Sequence, residues 1–151
     1  MIRYLPLALT LALAAPTVSN AQAATNQRQE VLAFIRAYID AFNRADMNAF
    51  VDAYAQRSDL IRIKNGEVTR GWEAIRNEAN HTKGADRVSA GVVEVVSLSA
   101  TMALAVVPFA ATVNTQQGVV QLRGAMSLVV QKTPDGWRII HDHTSSSAPG
   151  Q

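Results

Sequence analysis

Residues 119–145 read VVQLRGAMSLVVQKTPDGWRIIHDHTS and carry the clearest fold signal of the chain. β-Branched and other apolar residues dominate both ends of this stretch, which predicts two strands, Val119–Gln131 and Trp137–Ser145. The five residues between them contain Pro-Asp-Gly, which is a turn signal. Because a parallel crossover needs about a dozen residues or more, a link this short predicts an antiparallel pair.

Two more long strands precede this pair, at Val88–Leu98 and Met102–Val113, again with short links. A short strand at Leu60–Lys64 runs into Asn65-Gly66, a typical hairpin turn. Four long antiparallel strands with one face covered are expected to curl, and their concave side can then enclose a cavity.

The part of the chain before these strands has helical periodicity. From residue 30 to residue 43, apolar residues recur every three or four positions, which predicts an amphipathic helix. Asp46 is a candidate N-cap for a second helix whose apolar face includes Phe50 and Tyr54. Residues 71–80 predict a third helix. Three helices followed by an antiparallel meander indicate an α+β fold with the helices on one sheet face.

The first 23 residues, MIRYLPLALTLALAAPTVSNAQA, have the features of a secretory signal peptide. Arg3 precedes a short apolar run, and Ala21-Gln22-Ala23 is a small-x-small cleavage site. We therefore expect a signal peptide over residues 1–23 and a single domain over residues 24–151, located in the periplasm or secreted. The alternative is an uncleaved anchor or a hydrophobic N-terminal helix.

Composition excludes several classes of protein. With no cysteine in 151 residues, the chain has no disulfide, no thiolate metal site and no cysteine nucleophile. The formal net charge is only +2 and no run of basic residues occurs, so nucleic acid is not an expected partner. No phosphate-binding or dinucleotide motif follows a predicted strand. We expect no cofactor, and no membrane association after cleavage of the signal peptide.

Three stretches resemble the nuclear transport factor 2-like (cystatin-like) superfamily: residues 37–55 (AYIDAFNRADMNAFVDAYA), 65–77 (NGEVTRGWEAIRN) and 135–145 (DGWRIIHDHTS). The nearer branch is similar to SnoaL-like domains, including those like the association domain of calcium/calmodulin-dependent kinase II. The resemblance implies a cone-shaped curved antiparallel sheet wrapped around three N-terminal helices, a pocket between sheet and helices, and frequent dimers through the sheet. It does not settle the function, because a fold of this kind hosts many activities.

Alignment with members of this superfamily assigns roles to individual residues. The kinase association domains carry pocket arginines at the places of Thr144 and Leu128, so the cluster that would attract an anionic peptide is missing. Ketosteroid isomerases carry an oxyanion-binding tyrosine at the place of Tyr38, but their carboxylate base falls on Arg62. A guanidinium stays protonated and cannot act as that base, although it can hold a carboxylate or enolate. The alternative for Arg62 is a solvent-facing charge on an edge strand.

The last strand carries the His-x-His pair, His141 and His143. Strict alternation places both histidines on the face of Trp137, and Asp142 and Thr144 on the other face. General acid–base work is one interpretation, since imidazole titrates near neutral pH. Metal binding needs at least a third ligand, and His81 lies in a different loop, so no metal is expected. A structural role at a sheet or dimer contact is the interpretation that we favour.

Asp142 and two aromatic residues each have two interpretations. Asp142 can point into the cone as a proton acceptor with a pKa raised by burial, or it can pair with Arg62 or cap a neighbouring turn. We favour the ion pair, because an unpaired buried charge is costly. Tyr54 and Trp72 can line an apolar ligand site, or they can belong to the hydrophobic core, as aromatic residues at helical spacing more often do.

These observations lead to two hypotheses about function. The first is an exported protein that binds a small apolar or weakly polar molecule in the cone, with proton-transfer chemistry such as isomerisation, cyclisation or dehydration. Its candidate catalytic residues are Asp142, His143 and Tyr38, and its candidate ligand-binding residues are Arg62, Tyr54, Trp72 and Thr144. The second is a non-catalytic dimerisation or partner-binding module. In both cases we expect a homodimer. An open cavity of several hundred Å3 with Tyr38 and Asp142 on its wall would favour the first.

Overall fold

The structure is a computed structural model, and it describes residues 20–80 and 86–148. Three helices come first in the chain: α1 (Asn20–Asn43), α2 (Met47–Asp52) and α3 (Trp72–Asn80). Asp46 caps α2 as predicted, because its carboxylate accepts a hydrogen bond from the Ala49 backbone N–H at 3.1 Å. The second helix is shorter than its apolar pattern predicts, so Tyr54 lies beyond its end.

The described residues also form seven strands. Two lie between α2 and α3, and five follow α3: β1 (Ile61–Lys64), β2 (Glu67–Arg70), β3 (Arg87–Ala90), β4 (Glu94–Ser99), β5 (Met102–Thr115), β6 (Gly118–Thr133) and β7 (Gly136–Ser147). They form one sheet in the order β2-β1-β7-β6-β5-β3, and β4 also pairs with β5. All pairs are antiparallel except β1 with β7, which is parallel. The predicted α+β fold with a curved, predominantly antiparallel sheet is therefore confirmed.

The sheet bends where the predicted strand Val88–Leu98 is interrupted. Residues 91–93 separate β3 from β4, and the two short strands pair with opposite ends of β5. Pro108 lies between these two pairings, and its carbonyl accepts a hydrogen bond from the Gly91 N–H at 2.7 Å. Because proline has no N–H to give to a neighbouring strand, continuous pairing on this edge cannot pass through it.

A second irregularity lies in β7 and changes the direction of its side chains. Val129 pairs with His141 and Val130 pairs with Ile139, so Ile140 is an extra residue without a partner on β6. On the near side of this bulge Trp137 and Ile139 are buried, and on the far side Asp142 is buried. The predicted strict alternation is therefore wrong beyond Ile140.

The hydrophobic core lies between α1 and the inner face of the sheet. Most of its fully buried members come from the first helix and from the three longest strands, and Ile75 of α3 joins them: Val31, Ile35, Ala103, Ala105, Val107, Leu128, Val130 and Ile139. These positions alternate along β5 and β6, as expected for a sheet with one covered face.

Most of the predicted signal peptide, residues 1–19, lies outside the described residues, and α1 begins before the predicted cleavage point after Ala23. The signal peptide and the domain boundary stay predictions. Within residues 20–80 and 86–148, no helix combines the length and the apolar character that crossing a membrane requires.

We predict that Gly124→Ala destabilises the fold. A methyl group at this position of β6 would lie 2.8 Å from the Phe109 ring and 2.9 Å from the Ser146 Cα, and it would overlap the Ser145 carbonyl. Overpacking of this kind costs about 1–3 kcal/mol. The measurement is urea denaturation.

Gly91→Ala is the matched control, because its added methyl group would meet ordinary contacts, the nearest at 3.4 Å. Equal stability of the Gly124 and Gly91 variants would contradict the close approach of Phe109 to Gly124.

Candidate functional site

A cavity of about 300 Å3 lies between the helices and the part of the sheet beyond the bulge. This volume is at the lower end of the range for small-molecule sites, so a ligand that fits it is small. One wall is apolar and comes from β3, β5 and β6; its residues are Val88, Phe109, Ala111, Val113, Leu122 and Met126. The opposite wall is polar and comes from β1 and β7.

The helical side of the cavity is a cluster of aromatic rings. Tyr38 stacks on Phe50 with ring centroids 4.9 Å apart, and Phe42, one turn further along α1, lies 5.5 Å from the same ring. Tyr54 completes the cluster at 5.8 Å from Phe50. Tyr38 and Phe42 share one face of α1 because they are four residues apart. The cluster makes the cavity suitable for a planar or apolar molecule.

Asp142 is the buried acid of the polar wall. Only 3% of its surface is exposed, and it lines the cavity. Tyr54 Oη donates to Asp142 Oδ2 at 2.7 Å, and Thr144 Oγ1 donates to Asp142 Oδ1 at 2.9 Å. Both carboxylate oxygens are thus held by neutral hydroxyl groups, and within residues 20–80 and 86–148 no cation is bonded directly to Asp142.

Burial raises the pKa of Asp142 above its ordinary value. The hydrogen bonds from Tyr54 and Thr144 and the charges of Arg62 and His141 act in the opposite direction but do not cancel the effect of burial. A carboxyl group whose pKa is raised by desolvation in a cavity is a typical general acid or base.

Arg62 does not pair with Asp142, so the predicted ion pair is wrong. The two residues are register partners on the parallel strands β1 and β7. Among the residues that the structure describes, however, the ion-pair partner of the Arg62 Nη2 atom is Glu78 of α3. The Arg62 side chain is only 12% exposed and lines the cavity beside Asp142. It therefore contributes a positive charge to the polar wall, and it is not a solvent-facing charge.

The Arg62 guanidinium is not fully satisfied. Its Nε atom is buried and has no hydrogen-bond partner among residues 20–80 and 86–148. A buried donor without an acceptor costs about 1–3 kcal/mol. Such a cost is typical of positions that serve a function other than stability.

Tyr38 lines the cavity, as predicted, but its hydroxyl already has a partner. The Tyr38 and Tyr54 hydroxyl oxygens are 2.8 Å apart. Since Tyr54 gives its single proton to Asp142, it is Tyr38 that donates to Tyr54 when Asp142 is ionised. Burial, and next the charge of Asp142, raise the pKa of Tyr38. Burial is also the main cause of the raised pKa of Tyr54.

The cavity becomes more highly charged toward its mouth. Lys64 is the neighbour of Thr144 across the β1–β7 pair, and it is exposed. Asn65 and Ser146 follow, and the Asn65 Oδ1 atom accepts a hydrogen bond from the Ser146 backbone N–H at 2.8 Å. Asp86 and Glu78, the partner of Arg62, also line the cavity. The site thus runs from an apolar and hydroxyl-rich base to a charged mouth.

The structure brings five predicted residues together and leaves two outside. Tyr38, Tyr54, Arg62, Asp142 and Thr144 all line the cavity. His143 is exposed on the outer sheet face, where the bulge places both histidines. Trp72 packs against the core, and its indole N–H donates to the Val51 carbonyl at 3.2 Å. No group of three potential metal ligands occurs in the described part of the chain.

Several cavity residues were not singled out from the sequence. Phe42 and Phe50 were placed only on apolar helix faces, and Phe109 and Met126 only on strands. Helical and strand periodicity identified their inward faces but not the gap between them. Glu78 gave no signal, because a charged residue on a short helix is ordinarily solvated.

The structure is similar to several solved structures of low sequence identity. A nuclear transport factor 2-like superfamily protein from Salmonella enterica serovar Typhimurium has a TM-score of 0.72 and 22% identity, covering 85% of this chain and 94% of its own. A proposed scytalone dehydratase from Novosphingobium aromaticivorans has a TM-score of 0.74 and 10% identity, covering 84% of this chain and 88% of its own.

An NTF2-like protein with a cystatin-like fold, also from Novosphingobium aromaticivorans, has a TM-score of 0.68 and 15% identity, covering 90% of this chain and 94% of its own. At these identities the likeness shows the fold alone. No curated protein sequence matches the chain significantly. The SnoaL-like domain family matches residues 31–149. The chain therefore belongs to the SnoaL-like domain family and has the nuclear transport factor 2-like, cystatin-like fold.

Proposed function

We propose that this protein binds a small, largely apolar carbonyl compound in its cavity and catalyses a proton transfer of the isomerase, cyclase or dehydratase type. The observation that carries this proposal is the setting of Asp142, a buried carboxyl group on the cavity wall whose hydrogen-bond partners in the described part of the chain are neutral hydroxyl groups. A carboxylate in this setting accepts a proton more readily than one in water.

The chemistry assigned to the site has one base and one oxygen-binding group. Asp142 removes a proton from a carbon next to the carbonyl of the bound molecule. Arg62, its neighbour on β1, holds the carbonyl oxygen and the negative charge that develops on it as an enolate forms. The aromatic cluster and the apolar wall hold the remainder of the molecule and exclude water.

We also propose that the protein acts outside the cytoplasm. The apolar run before Ala21-Gln22-Ala23 is the support for export to the periplasm or the medium, followed by cleavage after residue 23. The cavity residues all lie beyond this point.

A second function, assembly with another copy of the chain, is supported by the outer face of the sheet. One row of neighbouring side chains crosses five strands: Val96, Leu104, Val129, His141 and Ile61. Val96 and Leu98 are 51% and 52% exposed, which is high for large apolar side chains.

The area and composition of this face fit a second copy. The five strands have 6, 14, 16, 12 and 4 residues from β4 across to β1. At about 3.3 Å per residue and about 4.8 Å between strands they present on the order of 800 Å2, which is the area that each partner buries in a specific interface. The two histidines lie within it and are polar groups able to make hydrogen bonds across a twofold contact. We propose a homodimer through this face.

Asp142→Asn is expected to remove the proton transfer. Benzylacetone, a small aromatic ketone, serves as the probe, and NMR measures the exchange of its α-hydrogens for deuterium in D2O. The wild type is expected to accelerate this exchange, and the variant to lose about 10²-fold or more of the acceleration.

The Asp40→Asn variant is the matched control, since Asp40 is an exposed carboxylate of α1 away from the cavity.

Arg62→Lys keeps a positive charge near Glu78 but loses the forked guanidinium, and we expect the acceleration of exchange to fall by at least about 10-fold. Equal exchange by the wild type and Asp142→Asn would overturn the assignment of Asp142 as the base.

The same substitution is expected to stabilise the protein at neutral and alkaline pH. Because the pKa of Asp142 is raised in the folded state, the folded protein binds this proton more tightly than the unfolded chain does. The free energy of unfolding therefore decreases as the pH rises from about 4, the unfolded value, through the folded pKa. The side-chain amide that Asp142→Asn introduces does not ionise, so the variant avoids this loss.

Thermal melts of both proteins between pH 4 and pH 8 measure the effect on stability. The melting temperature of the variant relative to the wild type is expected to rise with pH. A difference that stays constant or falls over this range would contradict the raised pKa.

Leu104→Arg is expected to dissociate the homodimer, because it places a charge within the row of side chains on the outer face. Size-exclusion chromatography with light scattering measures the mass. The wild type is expected to have the mass of two chains and the variant that of one.

Val92→Arg is the control, since Val92 is exposed in the link between β3 and β4 and lies outside the row described above. A wild-type protein with the mass of one chain, or a Leu104 variant with the mass of two, would exclude this face as the dimer interface.

A further inference from the structure

We propose that Asp142, Tyr54 and Tyr38 form a proton relay, in which Asp142 takes a proton from the bound molecule and Tyr38 gives one back at a second atom. A β-hydroxy carbonyl compound that loses water is the substrate class that this arrangement fits. The inference rests on the proposed function of Asp142 as the base, and it adds the acid, the path between the two and the reaction.

The relay is a chain of three oxygen atoms joined by two short hydrogen bonds. Tyr54 lies in the middle, 2.8 Å from the Tyr38 hydroxyl and 2.7 Å from Asp142 Oδ2. All three side chains are buried and all three line the cavity. Asp142 and Tyr38, the two ends of the relay, can therefore both contact a bound molecule, and Tyr54 connects them.

The direction of the hydrogen bonds depends on the proton at Asp142. When Asp142 is ionised, Tyr38 donates to Tyr54 and Tyr54 donates to Asp142. When Asp142 is protonated on Oδ2, that proton can be donated to Tyr54, Tyr54 can donate to Tyr38, and the Tyr38 proton is free to point into the cavity.

Thr144 makes the relay directional at its acidic end. Its hydroxyl donates to Asp142 Oδ1, so that oxygen already accepts a proton donor. This bond helps to hold the carboxyl group with Oδ2 against Tyr54, so that a proton taken up on Oδ2 can be donated to the Tyr54 hydroxyl. Thr144 is in this way a positioning residue, and it does not itself exchange a proton with the ligand.

The proton balance of the reaction closes within the relay. Asp142 takes the α-proton, and the electron pair of the broken C–H bond forms the C=C bond as the β C–O bond breaks. Tyr38 gives its proton to the departing hydroxyl group, which leaves as water. The proton on Asp142 then passes to Tyr54 while the Tyr54 proton passes to Tyr38. No oxidant or reductant takes part, and the site returns to its starting protonation state.

The surroundings favour this path over exchange with solvent. Burial raises the pKa of both phenols, so a free phenolate is costly and the protons are expected to move together. The ionisable groups around Asp142 come from β1, α3, the residue before β3 and the outer face of β7; they are Arg62, Lys64, Glu78, Asp86 and His141. None of the five contributes an oxygen atom to the chain of hydroxyl and carboxyl groups.

The first test needs no substrate. The sequence contains three tyrosines, Tyr4, Tyr38 and Tyr54, so labelling the tyrosine ring carbon that bears the hydroxyl gives a simple NMR spectrum. When the pH is lowered through the titration of Asp142, the signals of Tyr38 and Tyr54 are expected to shift with one common midpoint. In Asp142→Asn this common shift is expected to disappear, which separates it from the effects of the other carboxyl groups of the protein.

Tyr54→Phe removes the middle of the relay, and in this variant the Tyr38 signal is expected to lose its response to Asp142. A constant Tyr38 signal in the wild type, or an unchanged response in Tyr54→Phe, would overturn the relay. If Tyr54→Phe does not fold, the comparison of the wild type with Asp142→Asn still tests the relay. A Tyr38 signal that shifts equally with pH in both proteins would exclude the relay.

The second test measures the reaction. The probe is the β-hydroxy derivative of benzylacetone, whose dehydration gives a conjugated enone that absorbs in the ultraviolet. Tyr38→Phe and Tyr54→Phe are each expected to lower the rate of elimination by about 10²-fold. Exchange of the α-hydrogens of benzylacetone itself needs only the base, so it is expected to fall by less than about 10-fold in the same variants.

The two probes separate the possible failures. Elimination at the wild-type rate in both tyrosine variants would exclude the relay and leave Asp142 as the base. Absence of exchange with the wild type would instead overturn the proposed function, whereas the NMR titration would still report on the hydrogen-bonded chain.

Discussion

The unpaired residue Ile140 in β7 links the hydrophobic core of this protein to its cavity. Before the bulge, the inward side chains of β7 are Trp137 and Ile139, and they complete the core under α1. After it, the inward side chains are Asp142 and Thr144, and they form the polar wall. Without the extra residue, Asp142 would face outward and the two histidines inward. One residue of register thus decides which ionisable groups face the cavity.

The free-energy balance of the site also depends on this placement. A carboxyl group that is 3% exposed and held by two hydroxyl groups costs stability whenever it is ionised. Arg62 does not offset this cost directly, because its ion pair is with Glu78. The hydrophobic core offsets this cost. Its buried aliphatic residues on α1, β5 and β6 hold the helix against the sheet, and the aromatic cluster packs beside them.

Much of the fold was predictable from local patterns. Helical periodicity identified α1 and α3, Asp46 identified the start of α2, and short links identified the antiparallel pairs of the long strands. Five of the seven candidate site residues line the cavity. His143 was predicted at the site because alternation assumes an uninterrupted strand. Trp72 was predicted there because an aromatic residue at helical spacing has the same sequence pattern in a core as in a pocket. The parallel pairing of β1 with β7 was not predicted, since residues 65–135 lie between the two strands.

The sequence by itself determined most of the elements, their order, the α+β class and the residue types available for chemistry. These properties follow from interactions between residues close in the chain, such as caps, turns and the periodic burial of one face. Only the tertiary structure decided that Asp142 meets Tyr54 and Tyr38, and that Arg62 meets Glu78. Those contacts join residues of different elements, and a bulge or a break in one strand changes them without leaving a signal in the local sequence pattern.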